Sequence, residues 1–243
     1  MFFAKPGVYE PCGIYNQKHL IMALITLAWV VTAVKLTNVD KKEDVKKIIR
    51  NLTITVWCLE IIKIIYLCAI GQGRINRVVP LYYCSLLLYS GLLSSFGKGV
   101  AKKMGDVFLA TGGIIGGIVF IMFPTTSLPE YPALHFISIH SFFFHGTMIY
   151  LGIIINKFRY IELKFDDIKY YAGLIFIICM IAYVVNRVYG SNLMFISQDF
   201  PGMPISAVYN HTGFFFTPIM IGLQMTLPFL MVYGGLKLKQ KIR

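Results

Sequence analysis

Seven apolar runs, each about long enough to cross a lipid bilayer, follow one another along the 243 residues of this chain. The hydrocarbon layer is about 30 Å thick, which roughly 20 apolar residues span as a helix. Open strands cannot satisfy their backbone hydrogen bonds in lipid. The sequence therefore predicts an all-α, polytopic membrane protein, whose single domain (residues 1–243) is a bundle of seven transmembrane helices. The expected spans are residues 18–36, 48–70, 78–97, 104–124, 133–155, 168–187 and 214–236.

Composition argues against an additional soluble domain. The chain is 57% hydrophobic and 14% charged, whereas soluble domains average about 45–50% apolar and about 25% charged residues. We therefore expect membrane lipids to be its main surroundings and the cell membrane to be its location.

The distribution of cationic residues predicts the orientation. Segments that follow the odd-numbered spans hold 17 of the 23 Lys and Arg residues, and the other connecting and terminal segments hold five. The positive-inside rule then places the N-terminus outside and the C-terminus in the cytoplasm. The net charge of +12 accordingly indicates loops that face anionic lipid, and nucleic-acid binding is not predicted.

Polar residues inside the predicted spans are the main indication of function. Glu60 lies in the second span, and the stretch HFISIHSFFFHG places His135, His140 and His145 in the fifth. Polar groups at this depth usually face the bundle interior or a cavity. The predicted orientation brings these residues towards the outer half of the bilayer, which predicts a polar chamber there.

The histidine spacing does not favour a metal site. Zinc-binding helices commonly present two His residues four positions apart, whereas the intervals here are five and five. We therefore predict no metal and no other cofactor. Hydrogen bonding between helices is an alternative role for these histidines, above all for His140.

Cys84 differs from the other four cysteines in its surroundings. It follows Pro80, a residue type that often opens a helix, and it directly precedes Ser85. The positive end of a helix and a nearby histidine base both favour a reactive thiolate. The sequence contains no CxxC pattern, so no disulfide framework is predicted. A disulfide between Cys12 and Cys68 is an alternative that the sequence leaves undecided.

Three motifs of this chain resemble those of the YwaF-like family of integral membrane proteins, and the resemblance extends over nearly the whole chain. They are PLYYCSL (residues 80–86), YPALHF followed by HG (131–136 and 145–146) and NRVYGSNLMF (186–195). The family also has an acidic residue in the second span, which Glu60 matches. A eukaryotic branch is similar to lipid acyltransferases that form an acyl-thioester on the motif cysteine with the help of a histidine. The resemblance implies that Cys84 is this cysteine and His145 this histidine. The chain departs from many members at Tyr82, where they have His, and at Leu193, where they have Tyr.

The leading hypothesis is an acyltransferase that moves a fatty acyl chain between lipids, with a phospholipid or lysophospholipid as substrate. His145 would serve as base for Cys84. The expected supporting or substrate-binding residues are His140, His135, Glu60, Ser85, Asn186 and Asn192. A small-solute or ion transporter that uses Glu60 and the histidines, and a non-catalytic lipid-binding protein, are the alternatives.

Overall fold

The structure is a computed structural model that describes residues 1–201 and 204–242. In these ranges the chain forms helices and no β-strand, so the all-α prediction is confirmed. The α-helices are α1 (Gln17–Leu36), α2 (Lys42–Ala69), α3 (Ile75–Val78), α4 (Leu86–Phe96), α5 (Gly99–Ala110), α6 (Gly112–Met122), α7 (Phe136–Lys157), α8 (Ile168–Tyr189), α9 (Pro204–Thr212) and α10 (Phe216–Ile242). Short 3₁₀ segments lie at Phe165–Asp167, Leu193–Phe195 and Gly213–Phe215.

Six helical segments in the described ranges are long and apolar enough to cross a membrane, which makes this a multi-pass membrane protein. They are Gln17–Leu36, Lys42–Ala69, Gly99–Met122, Phe136–Lys157, Phe165–Tyr189 and Pro204–Lys241. Six of the seven expected spans coincide with these segments. The expected span 78–97 does not, so the prediction of seven full-length helices needs correction at this point.

Pro80 explains why the third apolar run is not one helix. Proline has no N–H to donate, and it forces the preceding residue out of the helical region. Val79 is accordingly extended, with φ −87° and ψ 113°. Helix α3 ends at Val78, and α4 starts only at Leu86. The 11 residues of α4 span about 16 Å at 1.5 Å per residue, roughly half of the hydrocarbon thickness.

The fourth apolar run, expected at residues 104–124, starts earlier, and its helical geometry is interrupted at Thr111. This residue has φ −127° and ψ −78° and separates α5 from α6. Its hydroxyl donates to the Val107 carbonyl at 2.6 Å, a type of bond that often bends helices.

Helix α7 lies at the centre of the bundle. In the most apolar 18-residue stretch of α7, 78% of the residues are buried. The corresponding value is 17% for α1 and for the segment that contains α10. Helices α1, α2, α5 and α6 all pack against α7. Its polar side chains therefore face other helices, whereas the outer faces of α1 and α10 face lipid.

Close helix contacts depend on glycine. The hydrophobic effect does not drive helices together inside lipid. Their association therefore depends more on close van der Waals packing, which small residues allow. A Cβ atom built on Gly91 would lie 2.2 Å from the Thr53 hydroxyl, and one on Gly117 would lie 2.6 Å from the His145 carbonyl oxygen. These glycines therefore let α4 approach α2 and let α6 approach α7.

The two ends of the bundle are formed by different loops and helix ends. We call the end with residues 70–80, 123–135 and 190–201 the site face. The segment before α1 joins it, because Cys12 N–H donates to the Tyr131 carbonyl at 2.9 Å. We call the opposite end, where α1 and α7 finish, the basic face. The basic face is the cytoplasmic one by the positive-inside rule, and this orientation stays a prediction.

Gly105→Ala tests the close packing between α5 and α4. The added Cβ would lie 2.5 Å from the Ser90 carbonyl oxygen and 2.7 Å from the Ser94 nitrogen. Both atoms are backbone, so the helices must separate, at a cost of about 1–3 kcal/mol. We expect a lower thermal unfolding midpoint in detergent. The control is Gly222→Ala in α10, where nothing lies within 4 Å and helix propensity favours alanine by up to about 1 kcal/mol. Equal midpoints for the two variants would contradict this packing.

Candidate functional site

A cavity of about 280 Å³ opens at the site face and extends into the bundle. Its lining includes Glu60, Cys84, Ser85, His140 and His145. Five of the eight site residues that the sequence suggested therefore surround one space. Exposed residues line the outer part, and the buried Glu60, His140 and His145 line the inner part.

The break in the third apolar run presents Cys84 to the cavity. Cys84 and Ser85 lie directly before α4, with Ser85 at its N-cap position. In residues 1–201 and 204–242 their backbone N–H groups donate to no backbone carbonyl. These two N–H groups lie just before α4, at the end where the helix dipole is positive. The thiol therefore lies beside donors that suit a developing negative charge.

His145 has one ring nitrogen in use and one free. Its Nδ1 lies 2.6 Å from the Ser141 carbonyl oxygen, and because a carbonyl only accepts, Nδ1 must donate. In the neutral ring Nε2 then carries the lone pair. This atom is buried and has no partner among the described residues. The ring also stacks on Phe120 with centroids 3.6 Å apart and planes 9° apart, which fixes its orientation.

The inner part of the cavity holds a compact charged group. Glu60 Oε1 lies 2.5 Å from Lys63 Nζ, and Glu60 Oε2 lies 3.6 Å from His140 Nε2. The carboxylate is 4% exposed and the lysine 20%. Buried charges need partners, and the Lys63 ammonium is the ionic partner of Glu60. Neither ring nitrogen of His140 makes a hydrogen bond within the described part of the chain.

Helix α6 joins the two sides of the site. A Cβ atom on Gly116 would lie 3.0 Å from the ring of Tyr83, the residue before Cys84, and Gly117 approaches the His145 backbone. Tyr83 is held there by its hydroxyl, which lies 2.7 Å from the Tyr171 hydroxyl. The cysteine segment and α7 thus pack on adjacent glycines of one helix.

The mouth of the cavity is polar and charged. Arg77 and Glu130 form an ion pair at 2.7 Å. Tyr131 donates to the Gln72 side chain at 3.4 Å, and burial raises the pKa of Tyr131 to about 12. Its phenol therefore stays protonated at neutral pH.

His135 has a structural position. Its Nδ1 accepts from the Ile137 N–H at 3.1 Å, so it caps α7, and its Nε2 lies 3.0 Å from the Ala4 carbonyl oxygen. Both ring nitrogens are thus engaged, and His135 does not line the cavity. The proximity of Ala4, 131 positions earlier, has no local signal in the sequence.

Asn186 and Asn192 organise the loop after α8. The Asn186 amide nitrogen donates to the Leu193 carbonyl at 3.0 Å, and its oxygen accepts from the Leu193 N–H at 2.8 Å. The Asn192 oxygen accepts from the N–H groups of Ser197 and Gln198, each at 3.1 Å. Neither asparagine lines the cavity. This loop nevertheless supplies Phe195 and Phe200 to the lining.

The remaining cysteines lie outside the cavity. Cys58 and Cys68 are exposed, Cys12 and Cys179 are buried, and all four are free thiols, so Cys12 and Cys68 form no bridge in this structure. Burial raises the pKa of the Cys12 thiol, which therefore stays protonated.

Several lining residues were not among those that the sequence singled out for the site. Lys63, Arg77 and Glu130 all line the cavity. The position of Lys63 three residues after Glu60 was a detectable signal, since such helical positions are neighbours. Arg77 and Glu130 are 53 positions apart, and only the fold brings them together.

Comparison with known proteins gives a family. The family model described as TMEM164 family matches residues 14–232, so the chain belongs to the TMEM164 family. The match includes all the cavity residues named above. No curated protein and no solved structure gives a significant match.

Asn186→Ala tests whether this asparagine supports the loop. The substitution leaves buried Leu193 groups without partners, at about 1–3 kcal/mol for each such group. We expect a clearly lower thermal unfolding midpoint. Asn51→Ala, at an exposed position of α2, is the control and should stay within about 0.5 kcal/mol of the parent protein. An unchanged unfolding midpoint for Asn186→Ala would contradict the structural role assigned to Asn186.

Proposed function

We propose that this TMEM164-family protein is an acyltransferase of the cell membrane that moves a fatty acyl chain between lipids through a thioester on Cys84. One observation carries the proposal. Cys84 and His145 line the same cavity, and the unpartnered His145 Nε2 is buried there with its lone pair free in the neutral ring. A nucleophile and an oriented base that share one cavity are two of the groups that covalent catalysis requires.

The first half-reaction transfers the acyl group to the protein. His145 Nε2 takes the proton of the Cys84 thiol as the sulfur attacks the ester carbonyl of a phospholipid. A tetrahedral intermediate forms, the ester C–O bond breaks, and the departing lysophospholipid oxygen receives the proton from His145. The products are the Cys84 thioester, a lysophospholipid and neutral His145, so atoms and charge balance.

Backbone donors supply the stabilisation of the oxyanion. Asn186 and Asn192 are engaged in their loop, so the proposal assigns this role to the N–H groups of Cys84 and Ser85. They precede α4, and no backbone carbonyl occupies them in the described part of the chain. Preorganised backbone donors of this kind are often the largest contribution to acyl-transfer catalysis.

The second half-reaction reverses these proton movements. The hydroxyl of an acceptor lysophospholipid gives its proton to His145 Nε2 and attacks the thioester carbonyl. The C–S bond breaks, and the sulfur regains the proton from His145. A base that becomes an acid in the next step suits an imidazole, because the same ring nitrogen can accept a proton and return it.

Glu60, Lys63 and His140 are proposed to set the electrostatics of the inner cavity. The Lys63 ammonium is shared with Glu60, and opposite charges this close to a reacting centre act strongly where water is scarce. His140 lies beside the same carboxylate. We assign these three residues positioning roles, and Arg77 with Glu130 at the mouth is suited to contact a polar lipid headgroup.

The resemblance of the Cys84 and His145 motifs to the YwaF-like family, whose eukaryotic branch is similar to lipid acyltransferases, supports the same assignment. It covers PLYYCSL and the HG pair, which both contribute to the cavity. Phospholipids and lysophospholipids are accordingly the proposed substrates.

A transport function has one observation in its favour, the buried charged group around Glu60. The packing of α7 argues against it. Beyond His145 towards the basic face, Met148, Leu151 and Ile154 are completely buried and pack in one apolar cluster with helices α1, α2 and α4. A continuous polar path would have to cross this layer, so a chamber open on one side fits the structure better.

Intact-mass spectrometry after incubation with phospholipid vesicles tests the thioester. We expect part of the purified protein to gain the mass of an acyl chain, and neutral hydroxylamine to remove it. Cys84→Ser should show no hydroxylamine-labile adduct, because serine forms no thioester. Cys58→Ser, which changes an exposed cysteine of α2, should behave like the parent protein. Full lipid-remodelling activity of Cys84→Ser in reconstituted vesicles would rule out this mechanism.

His145→Gln tests the assignment of the base. Glutamine keeps a polar side chain of similar size but accepts no proton, so acylation should slow by about 10²–10⁴-fold. His140→Gln is the matched comparison on the same helix and should have the smaller effect. The opposite order would assign the base to His140. The transport alternative instead predicts that Glu60→Gln abolishes solute or proton flux in vesicles while Cys84→Ser has little effect.

A further inference from the structure

A second cavity, of about 390 Å³, lies at the basic face. Three parts of the chain line it: the end of α7 and its following turn, the loop at residues 161–164, and the last turns of α10. It begins at Asn156, 11 positions beyond His145. The distance along α7 is about 16 Å at 1.5 Å per residue, so this cavity is separate from the acyl-transfer site.

The charge of the second cavity suits an anion. Arg159, Lys164 and Lys237 line it together with a single carboxylate, Glu162. In residues 1–201 and 204–242 none of the three cations forms an ion pair with a carboxylate. Lys63, Arg77, Lys102 and Lys103, by contrast, all have acidic partners. The cavity therefore has an excess of positive charge that the described side chains do not neutralise.

Arg159 occupies a backbone position that normally favours glycine. The Tyr160 N–H donates to the Ile155 carbonyl at 3.0 Å, and the Arg159 N–H donates to Asn156 at 3.3 Å. This is the Schellman pattern at a helix C-terminus, whose left-handed residue is usually glycine. Arg159 adopts φ 47°, which is strained for a residue with a side chain. Glycine would fit this backbone position better than arginine, so Arg159→Gly can test the guanidinium without straining the fold.

The rest of the lining is apolar. Ile161, Leu163 and Leu236 contribute aliphatic surface, and Tyr233 contributes an aromatic ring that also lies under the Lys237 ammonium, 5.7 Å from its centroid. An exclusively soluble anion would gain little from this surface. A lipid would place its headgroup among the cations and its glycerol and upper acyl chain against the aliphatic side chains.

We propose that this second cavity binds the phosphate group of an anionic phospholipid through Arg159, Lys164 and Lys237. Guanidinium and ammonium groups are the usual protein ligands of phosphate. The location at the ends of two membrane-crossing helices, on the face where the positive-inside rule predicts anionic lipid, supports a lipid as the source of the phosphate. This inference stands independently of the acyltransferase proposal.

Thermal stabilisation and direct binding of short-chain lipids to the purified full-length protein test the site. The probes are dioctanoyl phosphatidylglycerol, dioctanoyl phosphatidylcholine and glycerol 3-phosphate, all in a non-ionic detergent. We expect phosphatidylglycerol to raise the unfolding midpoint and to bind about tenfold more tightly than phosphatidylcholine, with weaker binding at high salt. Weaker binding of glycerol 3-phosphate than of phosphatidylglycerol assigns the phosphate to a lipid. Equal binding of the two retains the phosphate site but assigns it a soluble ligand.

Two variants separate binding from folding. Arg159→Gly removes the guanidinium and relieves the left-handed strain, so it should weaken phosphatidylglycerol binding by about tenfold without lowering the unfolding midpoint of the lipid-free protein. Lys237→Gln should weaken binding as well. Lys239→Gln, two positions along α10 and outside the cavity, is the control and should bind normally. Unchanged binding by Arg159→Gly and Lys237→Gln, or equal affinity for the two lipids, would overturn the proposal.

Discussion

The break in the third apolar run is the constraint on which the rest of the candidate site depends. Backbone that leaves helical geometry at membrane depth must be buried in protein or line a cavity, because lipid satisfies no N–H or C=O group. Pro80 imposes such a break, and the stretch that follows it contains Cys84 and Ser85. The Met194 N–H donates to the Leu81 carbonyl at 3.1 Å, and Gly116 of α6 packs against the Tyr83 ring. The same local irregularity that shortens α4 thus creates both the cavity and the free N–H groups beside the thiol.

The histidines of α7 show how one helix combines structural and reactive roles. His135 uses both nitrogens at the start of the helix, whereas His145 uses one and leaves the other free. In a cavity with little water, a separated thiolate and imidazolium would be costly. In the proposed mechanism, proton transfer from Cys84 to His145 should therefore accompany attack on the acyl carbonyl. The stacking of His145 on Phe120 holds the ring in one orientation for both directions of proton transfer.

The sequence predicted the all-helical membrane fold and six of the spans, because apolar runs of this length have few other solutions in lipid. It also suggested Glu60, Cys84, Ser85, His140 and His145, which the structure brings around one cavity. The third span was predicted wrongly, since apolar composition continues across Pro80 although the helix does not. The positions of His135, Asn186 and Asn192 depend on loop contacts that only the complete fold forms. Their polarity inside or beside an apolar run suggested function, but their hydrogen bonds assign them to capping and loop closure.

The apolar layer between the two cavities bears on the side of the membrane from which lipids reach the proposed acyl-transfer site. Met148, Leu151 and Ile154 are completely buried between His145 and Asn156, so apolar side chains separate the first cavity from the basic face along α7. In the proposed two-step mechanism the first lysophospholipid must depart before the acceptor binds, because both use the same mouth near Arg77 and Glu130. Donor and acceptor would then come from the same leaflet. Acyl exchange in that leaflet, without movement of lipid across the membrane, is the form of lipid remodelling that such a one-sided chamber supports.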